Sequence, residues 1–318
     1  MKVLVTGGFG QVGSTVAGML LARGDEVLSI DNFATGRRDN LVEHPLLTAV
    51  EGSIVDPDLV ARCFEEFKPE MVVHTAASYK DPDDWYTDSM VNAAGTANIA
   101  KACRDHKVRR LVYFQTALCY GTNPQQSPIT LDHPINPVNS SYAISKTAGE
   151  HYVQFSGVEW VTFRLANVIG ERNVSGPLPI FYSRLSEGKK CFVTEARRDF
   201  CYAGDLAKVV VRALDGVGSG TYHFSSGHDV AIKELYDAVV RAMKLNDYPV
   251  PEVRPLGPDD AASILLDPSR LFADFGDVSF TPLDEIARVS VERWANEGVV
   301  GGYTHLKEAR GEIRENNK

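Results

Sequence analysis

Cysteine is scarce and unpatterned in this chain. Cys63, Cys103, Cys119, Cys191 and Cys201 are five in number and form no CxxC pair. That excludes a zinc site on paired thiolates and a disulfide framework, and leaves reduced thiols in or near a core. Long apolar runs are missing too, since no stretch reaches the ~20 residues a spanning helix needs. The chain opens on "MKVLVTGG", where a few apolar residues give way to glycines. A secretory leader needs a longer apolar segment and a small-residue cleavage site, so a cytoplasmic protein with no membrane partner is expected. Positive charge is short: 33 Lys+Arg face 42 Asp+Glu, net −9, with no basic tract. Nucleic acid is therefore not an expected partner, although local donors in an acidic protein still bind small anions. Internal repeats and low-complexity tracts are absent.

What is present is an ordinary globular balance, 44% hydrophobic and 24% charged over 318 residues. The length suits one large α/β unit with a smaller lobe. Short runs rich in Val and aromatics, at 2–6, 26–30, 71–74, 111–114 and 160–163, predict strands buried on both faces. Helix-like segments at 11–23, 57–67, 86–106 and 141–156 lie between them. This alternation predicts a doubly wound parallel sheet. The second half is less regular. It holds a loop and helix start at 173–181 and helix-like segments at 205–214, 231–243 and 282–297. Pro and Gly cluster at 248–258, and the charged tail "EARGEIRENNK" is expected to fray. The expected division is a cofactor domain of 1–165 plus about 205–228, and a substrate lobe of 166–204 and 229–318.

"VTGGFGQVGS" follows the first strand and opens the first helix, with Gly7, Gly10 and Gly13 three apart. Glycines there permit a tight turn and a close backbone approach to a pyrophosphate, which the helix N-terminus then binds. Gln11 and Val12 lie within that loop. The next strand ends in Asp31, placed to bond both adenosine ribose hydroxyls and to repel a 2′-phosphate, which favours NAD over NADP. Asn32 and Gly36 follow it, and Arg37 and Arg38 in the same loop are either solvated or within reach of such a phosphate. "EGSI" (51–54), with Ser53 and Ile54, is expected beside the adenine. "HTAAS" (74–78) offers Ala76 and Ala77 where a ring lies close to backbone, and His74 reads as structural.

Tyr142 and Lys146 are four apart in "SYAISKTAGE" and share a helical face. A tyrosine of pKa about 10 is a poor base at neutral pH unless a nearby ammonium stabilises its phenolate. Thr116 ends a strand in "FQTALCYG", where a hydroxyl can bond a substrate alcohol.

These stretches together resemble the extended short-chain dehydrogenase/reductase family, within it the NAD-dependent nucleotide-sugar epimerase/dehydratase group, and most of all UDP-sugar 4-epimerases. "VTGGFGQVGS" is similar to the TGxxGxxG start, "DNFATGRRDN" to DNxxxGxxxN, "VVHTAA" to VxHxAA and "VNAAGTANI" to the NxxGT helix with Asn92. "TALCYG", "RLANVIGER", "RRDFCYAGDLA" and "LLDPSRL" resemble later family segments in the same order. The resemblance covers nearly the whole chain. It implies a Rossmann domain with a small C-terminal substrate lobe and catalysis by Thr116, Tyr142 and Lys146. It further implies cofactor contacts from Asn92 and Lys146, and substrate contacts from Lys80, Asn167 and Arg198. A homodimer through helices 86–106 and 141–156 is implied as well. No metal is expected.

Family dehydratases resemble T-D-E where this chain has Thr116-Ala117-Leu118. Eliminating water needs an acid and a base, and neither stands there. The 3,5-epimerases place a cysteine where this chain has Leu118, one residue before Cys119. Gly170-Glu171-Arg172 replaces GPR, and a uronate-gripping arginine is absent at Val174, with Asn167 in place of threonine. Arg254 is a candidate second diphosphate arginine. The expected function is therefore C4 epimerisation of a nucleotide sugar, a UDP-hexose, through a 4-keto intermediate with bound NAD. A 4-ketoreductase and a non-enzymatic NAD-sensing regulator are the alternatives.

Overall fold

The central sheet has seven strands: β1 (Lys2–Thr6), β2 (Glu26–Asp31), β3 (Leu47–Glu51), β4 (Met71–His74), β5 (Arg110–Thr116), β6 (Trp160–Leu165) and a seventh, Gly220–Phe224, five of them formed by the apolar runs. The computed structural model describes residues 1–298 apart from Lys80, Asn139, Pro258, Asp259 and Asp277. The expected substrate residue Lys80 thus lies outside the described residues. All seven strands pair in parallel, in the order seventh–β6–β5–β4–β1–β2–β3. The order reverses between β4 and β1. Loops diverge there at the carboxyl edge and open a crevice for a ligand.

Helices α1 (Gln11–Arg23), α2 (Pro57–Phe67), α3 (Trp85–Asp88), α4 (Thr96–Asp105) and α5 (Ser141–Phe155) run between the first six strands. The wide turn Ser89–Gly95 joins α3 to α4 in π-helical geometry, a device frequent at functional sites. Next come α6 (Pro177–Ser186), α7 (Ala203–Leu214), α8 (Ile232–Ala242), α9 (Ser269–Phe275) and α10 (Leu283–Glu297). Side chains alternate across each strand, and both sheet faces are apolar. Val3 and Val5 meet Val16 and Leu20 of α1 and Val210 of α7 on one face. Leu4 meets Phe64 of α2 and Ile99 of α4 on the other. Each such fully buried side chain contributes about 1.5–3 kcal/mol. A separate core of Leu178, Phe181, Leu235, Val239, Ile286 and Trp294 joins α6, α8 and α10.

Two strands escape the apolar-run pattern. β3 is an edge strand whose side chains are mostly outside, so "LTAVE" carries few large apolar residues. The seventh strand begins at Gly220 and includes His223, which breaks the run. Residues 269–275 lie within the expected lobe range, yet Leu271 and Phe275 pack into the core under the sheet.

Candidate active site

A cavity of about 1520 Å³ follows the carboxyl edge of the sheet. Pockets for one drug-sized ligand span about 300–1,000 Å³, so this one has room for two. Gly7, Gly10, Gln11, Val12, Gly13, Asp31, Asn32, Gly36, Ser53, Ile54, Ala76 and Ala77 all line it. Gly7 has φ +65°, and a Cβ there would stand 2.8 Å from the Ala76 backbone. At Gly13 a Cβ would be 2.2 Å from the Gly7 carbonyl oxygen. Neither position therefore has room for a side chain. α1 begins at Gly10 with no side-chain cap and no acidic residue in its first turn, which leaves its N–H groups for an anion.

Asp31 accepts the Phe9 and Phe33 N–H groups, each at 2.8 Å. Burial pushes its carboxyl above the ordinary range and these two bonds pull the other way. Two oxygens retain acceptor capacity for a pair of hydroxyls. Arg37 is held by Asp39, and Arg38 by Glu51 and the Phe33 ring. Both guanidiniums thus have carboxylate partners. An uncapped helix start, a loop with bare glycines at Gly7, Gly10 and Gly13, and an acidic strand end fit a dinucleotide such as NAD.

Thr116, Tyr142 and Lys146 line the same cavity. Thr116 accepts the Leu118 N–H at 3.2 Å, starting the short turn Ala117–Tyr120, and donates its own N–H to Gln115 Oε1 at 2.8 Å. Ser140 caps α5 by accepting the Ala143 N–H at 3.3 Å, which sets Tyr142 in the first turn. Tyr142 is half-buried beside Tyr79, with ring centroids 6.2 Å apart. Burial, with Tyr79 and Asp88 alongside, pushes its phenol well above the usual range. Lys146 is 3% exposed and its Nζ lies 4.1 Å from the Tyr113 ring centroid. Burial lowers its pKa to about 7, against the pull of Glu150.

Asn92, a cofactor contact by resemblance, is fully buried and is not among the residues that line the cavity. Its amide donates to the Ser78 carbonyl at 2.9 Å and Ser145 Oγ at 3.0 Å, and accepts the Ser78 N–H at 2.8 Å. It braces the wide turn against α5. His74 is structural as expected: it bonds Thr6 and Thr96 at 2.6 and 2.9 Å, and burial lowers its pKa to about 3. Cys119 is fully buried and its thiol is pushed up to about 12, which leaves it unreactive.

Asn167 and Arg198 line the lobe side of the cavity. Arg198 donates to the Ala261 and Arg197 carbonyls, each at 2.7 Å, and pairs with Asp260. Arg254 lies outside the lining, stacked on Phe192 and paired with Glu252. Arg184 and Lys189 line the cavity instead. The sequence reading passed over both because they belong to a helix end and loop without a motif. Asp88 was passed over as well: it is 1% exposed, and neither carboxylate oxygen accepts a well-aligned hydrogen bond.

Residues 3–224 match the pattern of the NAD dependent epimerase/dehydratase family. A UDP-glucose 4-epimerase from Mycolicibacterium smegmatis is 34% identical over 268 residues, 78% of this chain and 85% of the relative. The Bordetella bronchiseptica enzyme WbmH, solved in complex with NAD+, is 63% identical with a TM-score of 0.92, covering 94% of this chain and 99% of that one. WbmG from the same organism, solved with NAD and UDP, is 42% identical with a TM-score of 0.87, covering 96% and 97%. With a family match across more than half its length and a cradle and Tyr–Lys pair in register, the chain belongs to the NAD dependent epimerase/dehydratase family.

Proposed function

We propose that the protein is a UDP-hexose C4-epimerase that keeps NAD bound through each turnover. One observation carries the reading: Thr116, Tyr142 and Lys146 share a cavity with the dinucleotide cradle, while Ala117 and Leu118 supply no acid or base next to Thr116. The site can move one hydroxyl proton. It lacks the extra groups that eliminating water would need beside Thr116. The solved relative bound to NAD and UDP supports a uridine nucleotide.

The Gly7–Gly13 loop and Asp31 would hold NAD, which would supply a reversible acceptor for the hydride that C4 loses and regains. Thr116 Oγ bonds the C4 hydroxyl and orients it. Tyr142 Oη takes that hydroxyl's proton as the carbonyl forms. The Lys146 ammonium stabilises the phenolate, whose charge would otherwise be costly in so buried a place. After the 4-keto sugar turns over, Tyr142 returns the proton to the new alkoxide. Asn167, Arg184, Lys189 and Arg198 hold the diphosphate side. Arg198 reaches it by exchanging Asp260 for phosphate oxygens.

The five free cysteines are all buried, in keeping with a reducing, cytoplasmic setting. No described helix is long and apolar enough to cross a membrane. Apolar side chains left outside on α3 and α5 support a homodimer.

The test is proton NMR of the purified protein with a panel of UDP-sugars in D₂O and no added NAD. A C4 epimer without carbon-bound deuterium is expected. Deuterium at C3 or C5, or loss of water or CO₂, would overturn the mechanism.

A further inference from the structure

The proton path through Tyr142 leaves one buried ionic cluster unused. Glu150 lies on α5 one turn beyond Lys146 and is 1% exposed. Its carboxylate accepts from Arg164 Nη2 at 3.2 Å and from Arg164 Nε at 3.3 Å, across from β6. Gln115 Nε2 on β5 donates to it at 3.1 Å, and Thr221 Oγ1 on the seventh strand at 3.5 Å. Arg164 also donates to Tyr120 Oη at 2.6 Å, and Tyr120 pairs with His223 Nε2 at 2.7 Å. Well-packed apolar side chains often replace a buried ion pair at no cost. Stability alone therefore does not explain this one.

Two links run from Glu150 to the site. The first is mechanical. The Gln115 amide donates to Glu150 and accepts the Thr116 N–H, which ties the end of β5 to α5. The second is electrostatic. Glu150 is the negative group that opposes the loss of charge on Lys146. Around the lysine, Tyr113 presents a neutral ring, and His74 is uncharged at neutral pH. Around the carboxylate, Arg164 is the other cation, while Tyr113, Cys119 and Tyr120 are held neutral by burial.

We propose that Glu150 is a positioning residue of this site, one carboxylate that steadies Thr116 through Gln115 and keeps positive charge on Lys146. This rests on Thr116 and Lys146 being the catalytic pair with Tyr142. The lysine is read directly by ¹⁵N NMR of its Nζ in the NAD-loaded protein, assigned by loss of the signal in Lys146→Met. Glu150→Gln keeps the shape and the bond from Gln115 but removes the charge. Lys146 is then expected to titrate about one pH unit lower, which leaves it about fivefold less protonated at pH 7, with NAD retained. An unmoved lysine titration overturns the charge role.

No sugar enters that measurement, so it stands or falls apart from the epimerase reading. If Glu150→Gln does not fold, the double variant Glu150→Gln/Arg164→Met removes both charges and leaves neither unpaired; a smaller loss in the same direction is expected there, because the Arg164 cation is removed too. Gln115→Met cuts only the mechanical link. A lower kcat with unchanged KM and an unchanged lysine titration is expected, and an unchanged kcat overturns the tether. Glu150→Asp restores the charge and should recover part of the lysine's protonation.

Discussion

The proposed role of Lys146 rests on a single physical displacement. Burial lowers its pKa from 10.5 to about 7, so the folded chain releases that proton long before the unfolded chain does. Between those two pH values the unfolded state binds more protons, and stability therefore rises with pH. The rise should approach about 1.4 kcal/mol per pH unit for one group. Urea unfolding from pH 7 to 10 should show it in the native protein, and Lys146→Met should flatten it. Parallel curves for the two proteins would sink the assignment. Below that window Lys146 holds its charge at a cost to the fold, and that charge is what the proposed role of Tyr142 requires. The residue scale was well legible in sequence where chemistry needs a fixed spacing. The four-residue step from Tyr142 to Lys146 and the glycine steps at Gly7, Gly10 and Gly13 are of this kind. Asn92 was legible by its motif, but its bonds to Ser78 and Ser145 were not, because a spacing identifies a residue without revealing which way its amide points. Glu150 repeats the same four-residue step and was readable on that face, but its partners Gln115 and Arg164 come from other strands.

Elements hold the site together by close approach. Gly149 lets α5 lie against the wide turn and β5: a Cβ there would meet the Asn92 carbonyl oxygen at 2.5 Å and Tyr113 Oη at 2.6 Å. One of these is backbone, and the other is a fully buried ring whose hydroxyl donates to the Lys146 carbonyl at 2.9 Å. Neither can yield cheaply. Gly149→Ala is therefore expected to cost about 1–3 kcal/mol and to lower the melting temperature by several degrees in calorimetry. Turnover should fall as well, since Tyr142 and Lys146 ride on the displaced helix. A native melting temperature would show that the helices have slack. The sequence predicted α5 and its neighbours because their apolar faces recur at helical spacing. It was silent on Gly149, whose smallness matters only against a partner 57 residues away, Asn92. β3 and the seventh strand were hidden for a related reason: edge strands need fewer apolar side chains, so composition marks them weakly.

At the scale of the molecule, the family's doubly wound architecture was legible because each βαβ unit announces itself locally and parallel strands allow few arrangements. The packing of α9 under the sheet was not, since a late segment returning to an early core leaves no local mark. One surface remains to be accounted for. Ile144, Tyr152 and Phe155 stand on the outer face of α5 within one helical stripe, with Phe155 84% exposed. Trp85 and Tyr86 on the neighbouring α3 are 67% and 75% exposed. A contiguous apolar patch of this kind on a globular protein marks an interaction site. A second copy is the proposed occupant, because the resemblance to the family implies a dimer through helices 86–106 and 141–156, which include Tyr86 of α3 and the exposed stripe of α5. In such an isologous contact each residue serves twice. Phe155→Asp would then place two buried charges in one interface, and removing them from water costs more than the contact returns. The native protein should sediment as a dimer and the variant as a monomer. The variant should keep its NAD, since Phe155 lies outside the cavity lining. A native protein that sediments as a monomer at micromolar concentration would leave the patch without this partner. A dimer undisturbed by Phe155→Asp would move the interface elsewhere on the molecule.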